Sequence, residues 1–310
     1  MIEQKTGELF SKLWPEYDDI LFDDSVDLFS ERLKIAGFDL DWFQNKIALD
    51  AGCGGGRNTI ALAKLGCSEV VGIDIGEDGL SDAKERASGL RNVKFINSSL
   101  LNIPFSEEEF DLVWCAGVLH HTINPEKVLD ELIRVTKKGG YLYLLIYATG
   151  GLRWPLIQLL RNFVINIGFD DMNRAIIKSS LPANKRRTIL DDLFVPVIDF
   201  YDWNRLKYML EIRGVKNIDR FDRKCSLDHE SDLKSYKEDL EAFLEAFKIG
   251  NSNEVELKSH LFTIGELLIQ SVIDTIDYYI LLVDKGKIKE ADAENIIIGQ
   301  GHHRVLSIAS

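Results

Sequence analysis

The sequence predicts an α/β protein built on a largely parallel sheet, and three observations carry that prediction. Strand-like and helix-like segments alternate from residue 46 to 147, the pattern left by crossover helices between parallel strands. The first apolar run enters a glycine-rich turn and a helix leaves it, "KIALDAGCGGGRNT" at 46–59, which is strand, tight turn, helix. Further apolar runs of strand length stand at 69–74, 93–97, 110–115 and 141–147. A chain of 310 residues with 45% hydrophobic content can bury the core such a sheet needs.

The elements follow in order. The first strand is placed at 46–50, and glycines in the turn after it allow positive φ and leave room for a ligand at the strand's carboxyl end. Ile60, Ala61 and Leu62 begin the helix beyond the turn. Within 79–88, Leu80, Ala83 and Ala87 share one helical face, and Gly89 ends that helix. Asn124 and Pro125 have the chemistry of an N-cap and first helical residue, with Val128, Leu129, Leu132, Ile133 and Val135 as the buried stripe. Lys137, Lys138, Gly139 and Gly140 are expected to close this helix before the fifth strand at 141.

Beyond 147 the alternation loosens. Residues 155–168 form an amphipathic pattern, 170–190 is polar and basic, and Asp202 caps a helix carrying Leu206, Met209 and Leu210. A sixth strand is read in "VKNIDRF" and a closing one in "HHRVLSIAS". Between them lie two helices, one lined by Leu233, Tyr236, Leu240, Phe243, Leu244 and Phe247, the other at 255–284. The expected organisation is therefore an N-terminal helical cap at 1–45, a core at 46–228 with a substrate-covering insertion at about 150–202, a helical insertion at 229–300, and a closing strand at 301–310.

Charge and composition exclude several classes. A net charge of −13 opposes a phosphate backbone, so no nucleic-acid partner is expected. Cys53, Cys67, Cys115 and Cys225 form no C-x-x-C pair, which disfavours a zinc site or disulfide framework. No metal is expected. Glu3, Lys5 and Glu8 interrupt the apolar core a signal peptide needs, and Glu266, Asp274 and Asp277 make 261–283 costly in lipid. The expectation is a cytoplasmic protein with no membrane partner.

The spacing of the turn separates two cofactors. A nicotinamide fingerprint would require glycine at 57, where Arg57 stands. Instead Asp50 precedes Gly52, Gly54 and Gly56, and Asp74 ends the second strand in "VVGIDIG". Asp74 can accept both hydroxyls of a ribose. Asp50 would repel a pyrophosphate yet favours the ammonium of a methionyl group, directly or through water.

With "LDAGCGGGR", "VVGIDIG", "NVKFINSSLLNIPF", "FDLVWCAGVLHH" and "VLDELIRVTKKGGYLYLLIY" in this order, residues 46–147 resemble the class I S-adenosylmethionine-dependent methyltransferases. The resemblance covers about a third of the chain. It implies a Rossmann-like seven-stranded sheet with an antiparallel last strand. It also implies that Gly52, Gly54 and Gly56 contact the methionyl part, with Arg57 alongside, and that Asp74 and Ile75 contact the ribose. Ala116 and Gly117 would border the amine and sulfonium. The family usually has an acid where this chain has Ser99, so the adenine contact is expected to fall to the Ser99 hydroxyl and the Leu100 backbone.

The implied reaction is methyl transfer to an oxygen, nitrogen, carbon or sulfur of a small molecule, releasing S-adenosylhomocysteine. His120 and His121 follow the fourth strand, where a histidine acts as base in some similar enzymes; a packing role is the plainer alternative. Tyr147, Arg153, Trp154 and Tyr201, with His302 and His303 from the closing strand, are candidate substrate residues. Tyr17 is a further candidate, beside Trp14, for closing over the methionine end. Arg174, Lys178, Lys185, Arg186 and Arg187 either recognise an anionic substrate or form a solvated face. The helices of 229–287 would serve as a lid or as a homodimer surface. Two other uses of the fold stand beside methyl transfer: cyclisation or lyase chemistry on the same cofactor, and binding without turnover.

Overall fold

The computed structural model describes residues 2–13, 19–35, 37–221, 232–253, 256–299 and 301–309. The chain divides into two compact units, Met1–Ala148 with Pro196–Ser226 and His302–Ser310, and Thr149–Val195 with Leu227–Gly301. The segment 149–195, expected as an insertion within the core, folds with the later helices.

The first unit holds a seven-stranded sheet made of β1 (Ile47–Ala51), β2 (Glu69–Asp74), β3 (Val93–Asn97), β4 (Phe110–Ala116), β5 (Thr136–Tyr147), β6 (Lys216–Phe221) and β7 (His302–Ile308). Their order is β3-β2-β1-β4-β5-β7-β6. Neighbours from β3 to β5 pair in parallel, whereas β7 runs antiparallel to both β5 and β6. The chain steps outward one way from β1 to β3 and returns on the other side with β4. That reversal opens a crevice at the carboxyl ends of β1 and β4, where ligands of such sheets bind.

The sheet is apolar on both faces, as a parallel sheet covered by helices requires. Ala48, Val70, Leu112, Trp114 and Tyr143 point to one face, while Leu49, Val71, Val113, Cys115 and Leu142 point to the other. The first face is covered by α2 (Asp19–Ile35) and α3 (Arg57–Lys64), and Phe29 meets Trp114 at a ring separation of 5.0 Å. The second is covered by α5 (Pro125–Val135) and α9 (Trp203–Glu211), whose Val128, Leu129, Leu132, Leu206 and Leu210 are fully buried. Burial of each such side chain favours folding by about 2 kcal/mol. Asn124 caps α5 by accepting from the Lys127 N–H at 3.1 Å, and Pro125 stands at its first position, as the sequence predicts.

Most expected boundaries shift by one or two residues, and that of β5 by five. β5 begins at Thr136, directly after α5, because Lys137 pairs with Asp111 across to β4 and the Gly139 N–H donates to Ala309 at 2.8 Å. Tertiary pairing thus overrides the turn chemistry of the two glycines.

The unit is completed by α1 (Ile2–Leu13) and α4 (Glu77–Arg86). The second unit is helical: α6 (Arg153–Ile167), α7 (Phe169–Lys178), α8 (Ala183–Phe194), α10 (Leu233–Asn253), α11 (Glu256–Asp284) and α12 (Glu290–Ile297). In it α10 and α11 exchange aromatic rings over glycines: a Cβ at Gly265 would fall 2.0 Å from the Phe247 ring, and one at Gly250 would fall 2.2 Å from Phe262. The two rings meet edge to face at 5.8 Å. Among the described residues no helix is long and apolar enough to cross a membrane.

Candidate cofactor and acceptor site

The glycine turn is bound to β2 and pressed by the loop after β4. Gly52 and Cys53 both donate their N–H to the Ile73 carbonyl, at 2.8 and 3.0 Å. Gly52 has φ of 81°, and a Cβ there would lie 2.4 Å from Val118 Cγ2. Only glycine fits both demands. Gly56 then begins α3, placing Arg57 at its first position.

Asp74, at the tip of β2, takes the Gly54 N–H on Oδ2 and the Gly76 N–H on Oδ1, each at 2.8 Å. These bonds fix the carboxylate's orientation and leave each oxygen a further lone pair for a hydroxyl donor. Burial raises its pKa, against the stabilising bonds from Gly76 and Gly54. Asp50 lies deeper, 1% exposed, and accepts from Thr59 Oγ at 2.6 Å. Desolvation pushes its pKa up to about 7, with the Thr59 bond opposing the shift.

At the neighbouring tips, Ile75 accepts on its carbonyl from Asn97 Nδ2 at 3.0 Å, and Leu100 is buried. The Ser99 hydroxyl donates to the Glu3 carboxylate of α1 and accepts from the Leu101 N–H at 3.1 Å. Past β4, Ala116 leads into Gly117, whose φ is 80° and beside which a Cβ would meet nothing within 4 Å among the described residues.

A cluster of rings occupies the other end of the cleft. His120 and His121 lie in a single 3₁₀ turn after β4, 0% and 4% exposed. His120 stacks on Tyr147 at 3.8 Å, and His121 meets the edge of the same ring at 5.3 Å. The β5–β7 register sets His302 opposite Tyr147, with ring centroids 5.1 Å apart. Among the described residues neither ring nitrogen of His120 has a hydrogen-bond partner, and burial, with His121 and His302 nearby, lowers its pKa well below the usual histidine value. The ring is therefore neutral. His121 Nδ1 is 2.9 Å from the Val197 carbonyl. A carbonyl only accepts, so in the neutral ring Nδ1 carries the proton and Nε2 the lone pair.

The remaining sequence-predicted residues divide between the units. His303 stands opposite Ile146 and its Nε2 is 2.9 Å from the Tyr201 carbonyl, which anchors the buried Tyr201 segment to β7. Arg153 and Trp154 belong to the second unit, where Arg153 pairs with the buried Asp192 at 2.8 Å and Trp154 donates to the Gly301 carbonyl at 3.2 Å. Tyr17 and Trp14 lie outside the described residues. Of the basic segment, Arg174 pairs with Asp171 and Lys185 with Asp239. The second unit also holds a cavity of about 50 Å³, walled by Leu156, Ile157, Tyr236, Leu240 and Phe243, beside these ion pairs. Among the described residues no group of side chains has the makings of a metal site.

Sequence reasoning passed over Glu3, Thr59 and Val118. Thr59 was within reach, nine residues after Asp50 in the same turn and helix. Glu3 had no signal, since 96 residues separate it from Ser99.

The arrangement fits an S-adenosyl group: a turn that excludes side chains, an oriented carboxylate at the β2 tip, a buried acid beneath the turn, and a Gly117 uncrowded by the described residues. A methyltransferase domain model matches residues 49–144. The chain is 32% identical over 131 residues to a demethylmenaquinone methyltransferase of Clavibacter sepedonicus, covering 42% of this chain and 49% of that protein. It is 37% identical over 100 residues to a demethylmenaquinone methyltransferase of Staphylococcus aureus (strain MRSA252), covering 32% and 42%. The chain thus spans half or less of the length of these relatives. A solved S-adenosylmethionine-dependent methyltransferase from Thermotoga maritima is similar at 17% identity and a TM-score of 0.46, over 69% of this chain and 83% of that one.

Proposed function

From the premise that residues 49–144 form a class I S-adenosylmethionine-dependent methyltransferase domain, we propose that the chain methylates a small molecule and releases S-adenosylhomocysteine. The observation that carries this reading is the pairing of the oriented carboxylate and glycine turn at β1 and β2 with a buried imidazole at the end of β4 that has no hydrogen-bond partner among the described residues. The relatives are named for methylation of demethylmenaquinone, which supports a small-molecule acceptor here.

Bound in the cradle, S-adenosylmethionine supplies a methyl group activated on a cationic sulfur. The chain's own work is then to position and to move a proton. Asp74 holds the ribose hydroxyls while its backbone bonds keep it from turning. Gly52, Gly54 and Gly56 admit the methionyl part, with Arg57 alongside, and Asp50 supplies negative charge beneath it. Ala116 and Gly117 border the amine and sulfonium, and Ile75 and Leu100 wall the nucleoside.

His120 and His121 face the acceptor in this reading. The neutral His120 imidazole offers a lone pair to an O–H or N–H acceptor without placing a second cation beside the sulfonium. His121 Nε2 is the alternative base, its ring fixed through Nδ1. Tyr147 and His302 form the wall on which the His120 ring rests, and Tyr201 and His303 hold that wall from behind.

The test is product analysis with a panel of phenolic, quinol, amine and thiol acceptors. Methyl transfer predicts S-adenosylhomocysteine in equal amount to methylated acceptor. Methylthioadenosine in its place would overturn the reading in favour of chemistry on the aminobutyrate chain.

A further inference from the structure

The inner face of α1 lies across the cofactor end of the cleft. Glu3, Gly7 and Phe10 have the i, i+4, i+7 spacing of one helical stripe. Each touches a different strand end. The Glu3 carboxylate accepts from Ser99, beyond β3. A Cβ at Gly7 would stand 3.2 Å from Ile75 Cγ2 and 3.7 Å from the Gly76 nitrogen, beyond β2. The Phe10 ring lies 5.9 Å from His121, beyond β4. Three contacts spaced along 12 residues fix the helix's position and its rotation.

Resting on the S-adenosylmethionine reading, we propose that Glu3 is the residue that recognises the adenine base, supplying from α1 the carboxylate that the tip of β3 lacks. A nucleoside whose ribose is held by Asp74 extends its base toward the adjacent strand, β3, and therefore toward Ser99. Ser99 is a poor acceptor for the base's amino group. Its only proton goes to Glu3, and one of its lone pairs already takes the Leu101 N–H. Glu3 is half-buried, its Oε1 accepts from Ser99, and its second oxygen retains acceptor capacity. The Ser99 bond thus aims the carboxylate. Acceptors that are charged bind an N–H about twice as strongly as neutral ones.

The chemistry makes the proposal selective. Adenine presents an amino donor at its six position, whereas hypoxanthine presents a carbonyl there, which a carboxylate repels. The test is calorimetric titration of wild type, Glu3→Ala, and Glu3→Ala combined with Ser99→Asp, each with S-adenosylhomocysteine and S-inosylhomocysteine. Wild type is expected to prefer the adenosyl ligand. Glu3→Ala should lose about tenfold or more in affinity for the adenosyl ligand and little for the inosyl one. Ser99→Asp should restore the preference by returning a carboxylate to β3 itself. If Glu3→Ala keeps wild-type affinity and preference, or loses both ligands equally, the proposal is overturned while the cofactor reading stands. If wild type binds neither ligand, the cofactor reading itself fails.

Discussion

The two ends of the cleft treat their polar groups in opposite ways. At the β1–β2 end each carboxylate has a protein partner: Asp74 holds two backbone N–H groups and Asp50 the Thr59 hydroxyl. At the β4–β5 end His120 is buried against Tyr147, and among the described residues both its ring nitrogens lack one. A buried polar atom without a partner costs about 1–3 kcal/mol, so the burial of both His120 nitrogens calls for a reason. Under the proposed function, the difference assigns the first end to a fixed ligand, the cofactor, and the second to an acceptor.

Breaking the first end should have the largest effect. Asp74→Ala removes the proposed ribose acceptor and frees the Gly54 and Gly76 N–H groups, so affinity for S-adenosylhomocysteine should fall at least about a hundredfold, about 3 kcal/mol. Titration calorimetry reads this directly. A loss under about threefold would mean that β2 does not hold the nucleoside.

At the other end the split between binding and turnover is the test. His120→Ala should lower kcat about a hundredfold or more while the S-adenosylhomocysteine affinity changes by less than about twofold. Once an acceptor is known, steady-state kinetics beside calorimetry separates the two. Equal loss of both would make His120 a packing residue of the whole cleft.

Protonation sharpens the comparison. Asp50 titrates near 7 in the folded protein, and a cationic ligand favours its charged form. Affinity for S-adenosylmethionine should rise about tenfold from pH 6 to pH 8, with proton release on binding near neutrality. Asp50→Asn should flatten that profile. Apo stability moves the other way. The folded pKa lies above the ordinary 3.8, so this group's contribution is complete below about 4 and is lost as pH rises through about 7. His120, with its pKa lowered, adds no ionisation to the binding profile in this range.

The smallest effect is expected at His303, whose Nε2 already meets the Tyr201 carbonyl. His303→Ala should cost about 1–2 kcal/mol of stability and leave kcat within about threefold. Thermal unfolding and kinetics of the same preparation check both numbers.

The same contrast explains what could be read from the sequence. The cofactor end was legible because its chemistry is local: Asp50 and the glycines fall within seven residues, and Asp74 ends the next strand. β1, β2 and β4 were legible too, as largely apolar runs, whereas β5 starts earlier than its apolar run, its first residues being held by Asp111 and Ala309. The histidine end was half legible. Two histidine pairs stood out at 120–121 and 302–303, yet only the β5–β7 register sets His302 against Tyr147 and, through it, near His120. The union of 149–195 with 227–301 depends on distant helix contacts such as Lys185 with Asp239, which no local pattern announces. Glu3 lies furthest from any local signal.

The central claim is that the cradle at β1 and β2 binds an S-adenosyl group, and its most direct test is calorimetric titration of the wild-type protein with S-adenosylhomocysteine beside NADH. The account predicts binding near micromolar affinity, about −8 kcal/mol, for the first and no heat for the second. Binding of NADH with none of S-adenosylhomocysteine would contradict it.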